Sequence, residues 1–211
     1  MSHASLLVAI PESELRKHKG DFQEAVAWEM KPFDENGHWF KKGSRWDWWV
    51  IGGRYDGRFA GKNVIKVSEI DLAAFLEHKK EGLRENYREA MGKSMSPESL
   101  DFVYGIKSGE TLDQYIDRNI DGVSFPAAYA FLSGRSWHEG NRLGWFGGSA
   151  ATECEIKTKK KPKRCLHRST RPKARIVCWY EPWEEWQKKF YDRFVKNLAP
   201  ETTLIVVDYH V

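Results

Sequence analysis

Ser44 to Phe59 reads S-R-W-D-W-W-V-I-G-G-R-Y-D-G-R-F, and the fold turns on how this stretch is read. Trp46 to Ile51 is aromatic and β-branched and runs into Gly52-Gly53, the pattern of a strand that leaves through a tight turn. Strict alternation puts Trp46, Trp48 and Val50 on one face and Asp47, Trp49 and Ile51 on the other. A carboxylate among tryptophans needs a partner or water, because an unpaired buried charge is costly. The glycines permit positive φ or the close approach of a ligand. Arg54 and Arg58 follow, with Tyr55 between them. Either these arginines hold an anion beside glycine-rich backbone, or they pair with Asp47 and Asp56 where a core strand exits.

On the N-terminal side, Ser5–Ile10 reads as a strand. Pro11 opens a helix over about Glu12 to Met30, weakened in its middle by Gly20. On the C-terminal side, Ser68-Glu69-Ile70-Asp71 resembles a capping box and starts a helix that runs to about Gly92. Ser96-Pro97 opens another, and Thr111 to Ile120 is a third, so 68–121 is expected as a helical insertion. Pro126 to Ser133 reads as a strand. Arg135 to Gly148 suggests a hairpin turning at Gly140-Asn141, with Trp137-His138-Glu139 at its mouth. Arg175 to Tyr180 is a strand, and Pro182 to Asn197 a helix with Trp183, Trp186, Phe190 and Phe194 on one stripe. Thr202 to Val211 is a final β-branched strand. This order predicts one α+β domain over 1–211, a mostly antiparallel sheet with helices on one face. A ferredoxin-like βαββαβ core with the insertion is the specific topology expected.

The chain has 211 residues, 41% hydrophobic and 14% aromatic, which is enough to bury a sizeable core. No apolar run is long enough to span a bilayer and the N-terminus lacks a basic n-region, so a cytoplasmic protein without a membrane partner is expected. Cys154, Cys165 and Cys178 form no C-x-x-C, which points to a reducing compartment. The net charge of +4 is unevenly spread. Ile156 to Tyr180 holds ten basic residues and no acid, leaving 24 basic against 30 acidic residues elsewhere, a net −6. Residues 156–175 are expected as a mobile basic loop.

Four residues are candidates for chemistry. Asp208 and His210 are two apart in a strand and share a face, where an aspartate can orient an imidazole. His138 and Glu139 offer a general base and a general acid, but adjacent strand residues point oppositely. Were both pairs to meet near Asp47 and Arg54, the site would suit a phosphate ester and a divalent metal. Each pair also has a plainer explanation, a solvated strand end for the first and a polar hairpin tip over a core Trp137 for the second. Arg54, Arg58 and Arg142 are the candidate anion ligands. Cys154, Cys165, His167 and Cys178 are soft ligands, but the spacing C-x10-C-x-H-x10-C matches no zinc module. No P-loop, dinucleotide fingerprint, H-E-x-x-H or nucleophile elbow is present, so the sequence names neither metal nor cofactor. In the basic segment, Lys159, Lys160, Lys161, Lys163, Arg164, Arg168 and Arg171 can contact phosphates, or form a solvated loop.

R-W-D-W-W-V-I-G-G-R-Y-D-G-R-F, G-R-S-W-H-E-G-N-R-L-G-W-F-G-G and the C-terminal L-I-V-V-D-Y-H-V, with L-V-A-I-P near the start and P-F-D-E-N further on, resemble the landmarks of a family of small uncharacterised phage and prophage proteins. They cover about a quarter of the chain. Such proteins often have Cys where this chain has Tyr209, so no role is assigned to that position. The resemblance implies a phage-type cytoplasmic accessory protein and carries over no catalytic residue. The expected function is therefore binding of nucleic acid, or of a host nucleic-acid-processing protein, through the basic segment. The alternative is a small metal-dependent hydrolase of a phosphate ester or nucleotide.

Overall fold

The computed structural model describes residues 3–34, 45–120, 124–140, 164–168, 175–179 and 181–210. Two compact units divide the chain, Met1–Ile70 with Ala127–Val211, and Asp71–Pro126.

The first unit is built on one sheet. Its strands are β1 (His3–Ile10), β2 (Trp48–Ile51), β3 (Val64–Lys66), β4 (Ala130–Ser133), β5 (Ser136–Gly140), β6 (Arg164–Arg168), β7 (Arg175–Trp179) and β8 (Thr203–His210). Their order is β2-β8-β1-β4-β5-β7-β6, and β3 also pairs with β8. β2 and β3 share the outer edge of β8, β2 opposite its C-terminal half and β3 opposite its N-terminal half. The β1–β4 and β5–β7 pairs are parallel and the other described pairs antiparallel, so the sheet is mixed within an α+β fold.

Two expectations about this sheet need correcting. A ferredoxin-like core would bring the second strand of the central hairpin beside β1, whereas here its first strand, β4, takes that place. Helices also cover both faces rather than one. On one face Leu6, Val8, Leu132, Trp137, Ile205 and Val207 pack with Leu15, Val26, Met30 and Phe33. These last come from α1 (Glu12–Lys17), α2 (Phe22–Met30) and the turn after it. On the other face Phe131 stacks on Phe194 at 4.8 Å and meets Phe190 edge-on at 6.1 Å. Phe190 ends α6 (Trp183–Phe190), which continues as a π-helical turn over Tyr191–Val195. The physical reason lies in the central strands. Leu6 to Ile10 and Leu204 to Val207 are continuous apolar runs, and both β1 and β8 are buried along nearly their whole length. A strand buried on both sides needs a layer on each.

Local chemistry explains the remaining departures. The helix expected over Glu12–Met30 breaks in two where Lys19 and Gly20 take φ of 53° and 82°. Asp21 then caps α2, accepting the Glu24 N–H at 3.0 Å. The β4–β5 hairpin turns at Gly134-Arg135, both with positive φ, as a type I′ hairpin turn requires. Trp137, His138 and Glu139 therefore lie within β5 and not at a hairpin mouth. The expected alternation of the tryptophans fails at a bend on Asp47. Trp46 turns to the α2 side, donating its Nε1–H to the Met30 carbonyl at 3.0 Å, and its ring lies edge-on to Trp49. Within the basic segment, Arg164–Arg168 is an edge strand on β7 rather than loop.

The second unit holds α3 (Leu72–Met91), α4 (Pro97–Tyr104) and α5 (Leu112–Asn119). Ala90, Ile106 and Tyr115 form its core, with Leu83, Tyr87, Leu100 and Tyr104 packed against them. Asp71 rather than Ser68 caps α3, accepting from the Ala73 and Ala74 amides. Thr111 and Gln114 form a reciprocal capping box on α5.

Candidate functional site

The three landmark stretches of the sequence meet at one end of the sheet, in two polar clusters on opposite faces. The first cluster joins the two ends of the described chain. β1 and β8 pair His3 with His210 and Ser5 with Asp208, so His3, Asp208 and His210 share a face. Asp208 is 1% exposed. Its Oδ1 lies 2.9 Å from His3 Nδ1, and its Oδ2 accepts the Arg54 backbone N–H at 3.0 Å. His210 Nδ1 lies 2.6 Å from Asp47 Oδ1, and the Asp47 N–H donates to the His210 carbonyl. A carboxylate at Nδ1 places the imidazole proton there and leaves a lone pair on Nε2. His210 Nε2 is buried and has no hydrogen-bond partner among the described residues. The two imidazole centres are 5.5 Å apart, and Trp48, 48% exposed, stands edge-on to His3 at 5.9 Å.

The Gly-Gly turn exists to reach Asp208. Gly53 has φ of 58°, and a Cβ on it would fall 2.6 Å from both Cβ and Oδ2 of Asp208. Only a residue without a side chain lets the Arg54 amide approach the carboxylate. Gly52, at φ 75°, has equally little room, with Asn63 Nδ2 2.5 Å from a built Cβ. Asn63 braces the loop by accepting the Gly57 N–H and bonding Asp56, and Tyr55 donates its hydroxyl to the His3 carbonyl. Gly53→Ala is expected to destabilise the protein by at least about 1–3 kcal/mol, from strained backbone and a broken Arg54–Asp208 bond. Urea unfolding checks this, and a midpoint unchanged from wild type would show that the loop relaxes without cost.

The second cluster surrounds Glu139, which is buried. Arg45 donates Nε–H to Oε2 at 2.8 Å and an Nη2–H to Oε1 at 3.2 Å. The Trp137 indole N–H and the Cys178 thiol complete the carboxylate's shell, each at 3.2 Å. Burial opposes the Arg45 charge, but Glu139 more than compensates, so the guanidinium stays firmly protonated. Burial, with the Glu139 charge adding to it, pushes the Cys178 thiol and the Tyr209 hydroxyl above their usual ranges. Tyr209 packs edge-on to Trp137 at 5.3 Å, and its hydroxyl is buried without a partner among the described residues.

The four residues proposed for chemistry do not converge. Asp208 and His210 join Asp47, but β5 lies three strand positions from β8, roughly 14 Å at the usual strand spacing. His138 and Glu139 also face opposite sides of the sheet. His138 sits among Phe131, Trp179 and Phe194, its Nδ1 accepting the Trp179 indole N–H at 3.4 Å, while Glu139 is tied to Arg45. Both read as packing and ion-pair residues. Asp47 and Asp56 take His210 and Asn63 as partners rather than the arginines. Arg58 donates to the Ala127 carbonyl and lies over the Tyr55 ring, so its guanidinium serves the fold rather than an outside anion. Arg54 contributes its backbone amide to the first cluster, and its side chain is exposed. Arg142, Lys159, Lys160, Lys161, Lys163 and Arg171 lie outside the described residues. Arg164 and Arg168 sit in β6 at register positions opposite Trp179 and Arg175. His3 escaped the sequence reading, because only the β1–β8 register brings it to Asp208 and His210.

Among the described residues no group of three or more His, Cys, Asp or Glu is placed to hold a metal ion, and no helix is long and apolar enough to cross a membrane. No protein-family model, no curated protein and no solved structure matches the chain.

Proposed function

We propose that the protein is a phage-type cytoplasmic accessory protein that binds nucleic acid through its basic segment. The observation that carries this reading is the β6–β7 ribbon. It sets Arg168 opposite Arg175 and Arg164 opposite Trp179 on the outer edge of the sheet. Part of the segment is thus ordered before any ligand arrives, which lowers the entropy cost of binding. The acid-free run of ten basic residues on a body of net −6 supplies the attraction. Arginine adds bidentate phosphate contacts that lysine cannot make. The resemblance to uncharacterised phage and prophage proteins implies the phage-type setting alone and carries no activity. A host nucleic-acid-processing protein with an acidic contact surface would use the same charges.

Binding is expected to tolerate sequence and to weaken steeply with salt. Each phosphate that a basic side chain neutralises on duplex DNA adds roughly 0.9 to the slope of log affinity against log salt. Changing Lys159, Lys160, Lys161, Lys163 and Arg164 together to Ser should therefore flatten that slope by up to about 4–5. Fluorescence anisotropy on single- and double-stranded DNA and RNA over a salt series measures this. Equal affinity and equal slope for the two proteins would leave the segment as a solvated edge.

A further inference from the structure

We propose that His3 and His210 are an acid–base pair that cleaves RNA phosphodiester bonds without a metal ion. The inference shares with the proposed function only the class of ligand, and it rests on the histidine geometry rather than on the basic segment.

Four features carry it. Each imidazole has its Nδ1 fixed by a carboxylate, His3 by Asp208 at 2.9 Å and His210 by Asp47 at 2.6 Å. Such pairing sets the tautomer, orients the ring and stabilises the imidazolium when it forms. Each ring is paired with its own aspartate, so neither histidine depends on the other for its orientation. The ring centres are 5.5 Å apart, within reach of one phosphodiester group. His210 Nε2 has no hydrogen-bond partner among the described residues and is buried, on a residue 8% exposed, so a substrate meets it only where the neighbouring His3 and Trp48 side chains move aside. A buried polar atom left unpaired is costly unless something else meets it. The cluster opens to solvent at the His3 side chain, 21% exposed, and at Trp48, whose ring offers a stacking surface for a base. Among the described residues, Asp47 and Asp208 bond the pair, Tyr55 bonds the His3 carbonyl, and Arg54 reaches Asp208 through its backbone amide.

The chemistry balances without a further reactant. His210 Nε2 takes the proton of a ribose 2′-hydroxyl as its oxygen bonds to phosphorus. The bond from phosphorus to the 5′-oxygen breaks, and that oxygen receives the proton carried by His3 Nε2. The products are a 2′,3′-cyclic phosphate and a 5′-hydroxyl. The histidines end with exchanged protonation states, which proton exchange with water resets.

The test uses the full chain and uridylyl-(3′,5′)-adenosine, too small to need the basic edge, in the presence of EDTA. Wild type should cleave it with a bell-shaped pH profile of kcat/KM, and should leave the deoxy analogue intact. His3→Asn and His210→Asn each keep an N–H where Nδ1 meets its carboxylate but lack the titrating nitrogen. Each should fold with an unfolding midpoint near that of wild type and fall at least about 100-fold in kcat/KM. His210→Asn should remove the low-pH limb of the profile and His3→Asn the high-pH limb. The five-residue Ser variant of the basic segment should turn over the dinucleotide at the wild-type rate, which separates failure here from failure of nucleic-acid binding. The proposal is overturned by an absence of EDTA-resistant cleavage in wild type, by cleavage of the deoxy analogue, or by folded Asn variants with undiminished rates.

Discussion

Glu139→Ala is expected to lower the unfolding free energy by about 3–5 kcal/mol, among the largest effects of any single substitution in the sheet unit. The carboxylate is 2% exposed and accepts from Arg45, Trp137 and Cys178. Removing it leaves the Arg45 guanidinium, itself only 14% exposed, as an uncompensated buried charge, and orphans the Trp137 indole N–H as well. The size of the effect is the penalty on what remains rather than the net worth of the pair. Arg45→Met combined with Glu139→Leu should therefore recover much of the stability, because it removes the uncompensated charge, while the Trp137 indole N–H stays without its acceptor. Urea unfolding of the single and double variants makes the comparison. A decrease below about 1 kcal/mol for Glu139→Ala would mean that water reaches Arg45 freely and that the pair is in effect a surface ion pair.

Trp186→Ala should cost about 3–5 kcal/mol for a different reason, the cavity left by a fully buried indole. Trp186 is 0% exposed, lies 5.6 Å from the Phe190 ring and 5.3 Å from the Phe194 ring, and donates its Nε1–H to the Ala128 carbonyl at 2.8 Å. Gly140 lets it approach β5, since a Cβ there would sit 3.3 Å from the indole. Neighbours that are themselves large rings collapse poorly into the space, and the Ala128 carbonyl is left without its donor. Phe102 in the helical unit is the matched control. It is 92% exposed, so Phe102→Ala should fall within about 0.5 kcal/mol of wild type. Equal denaturation midpoints for the two variants would show that α6 does not bury this face.

What the sequence determined by itself was local. Ser96-Pro97 marked the start of α4 because a cap is chemistry between residues three apart. The β-branched run from Thr203 and the aromatic stripe from Trp183 identified β8 and α6 by their periods. Period two also places Asp208 and His210 on one face and His138 and Glu139 on opposite faces. The α+β class followed from the order of those elements. Which faces the helices cover, that β4 rather than β5 lies beside β1, and which polar groups meet were decided by the tertiary structure alone. Glu139 finds Arg45 across 94 residues, Asp208 finds the Arg54 amide across 154 and His3 across 205, and His210 finds Asp47 across 163. Each of these meetings depends on strand register and on a loop closing at the right length, and neither leaves a repeating pattern in the chain. Gly53 shows the division within a single residue. Its freedom at positive φ was legible from the sequence, but the carboxylate that makes this freedom necessary belongs to a strand at the other end of the chain.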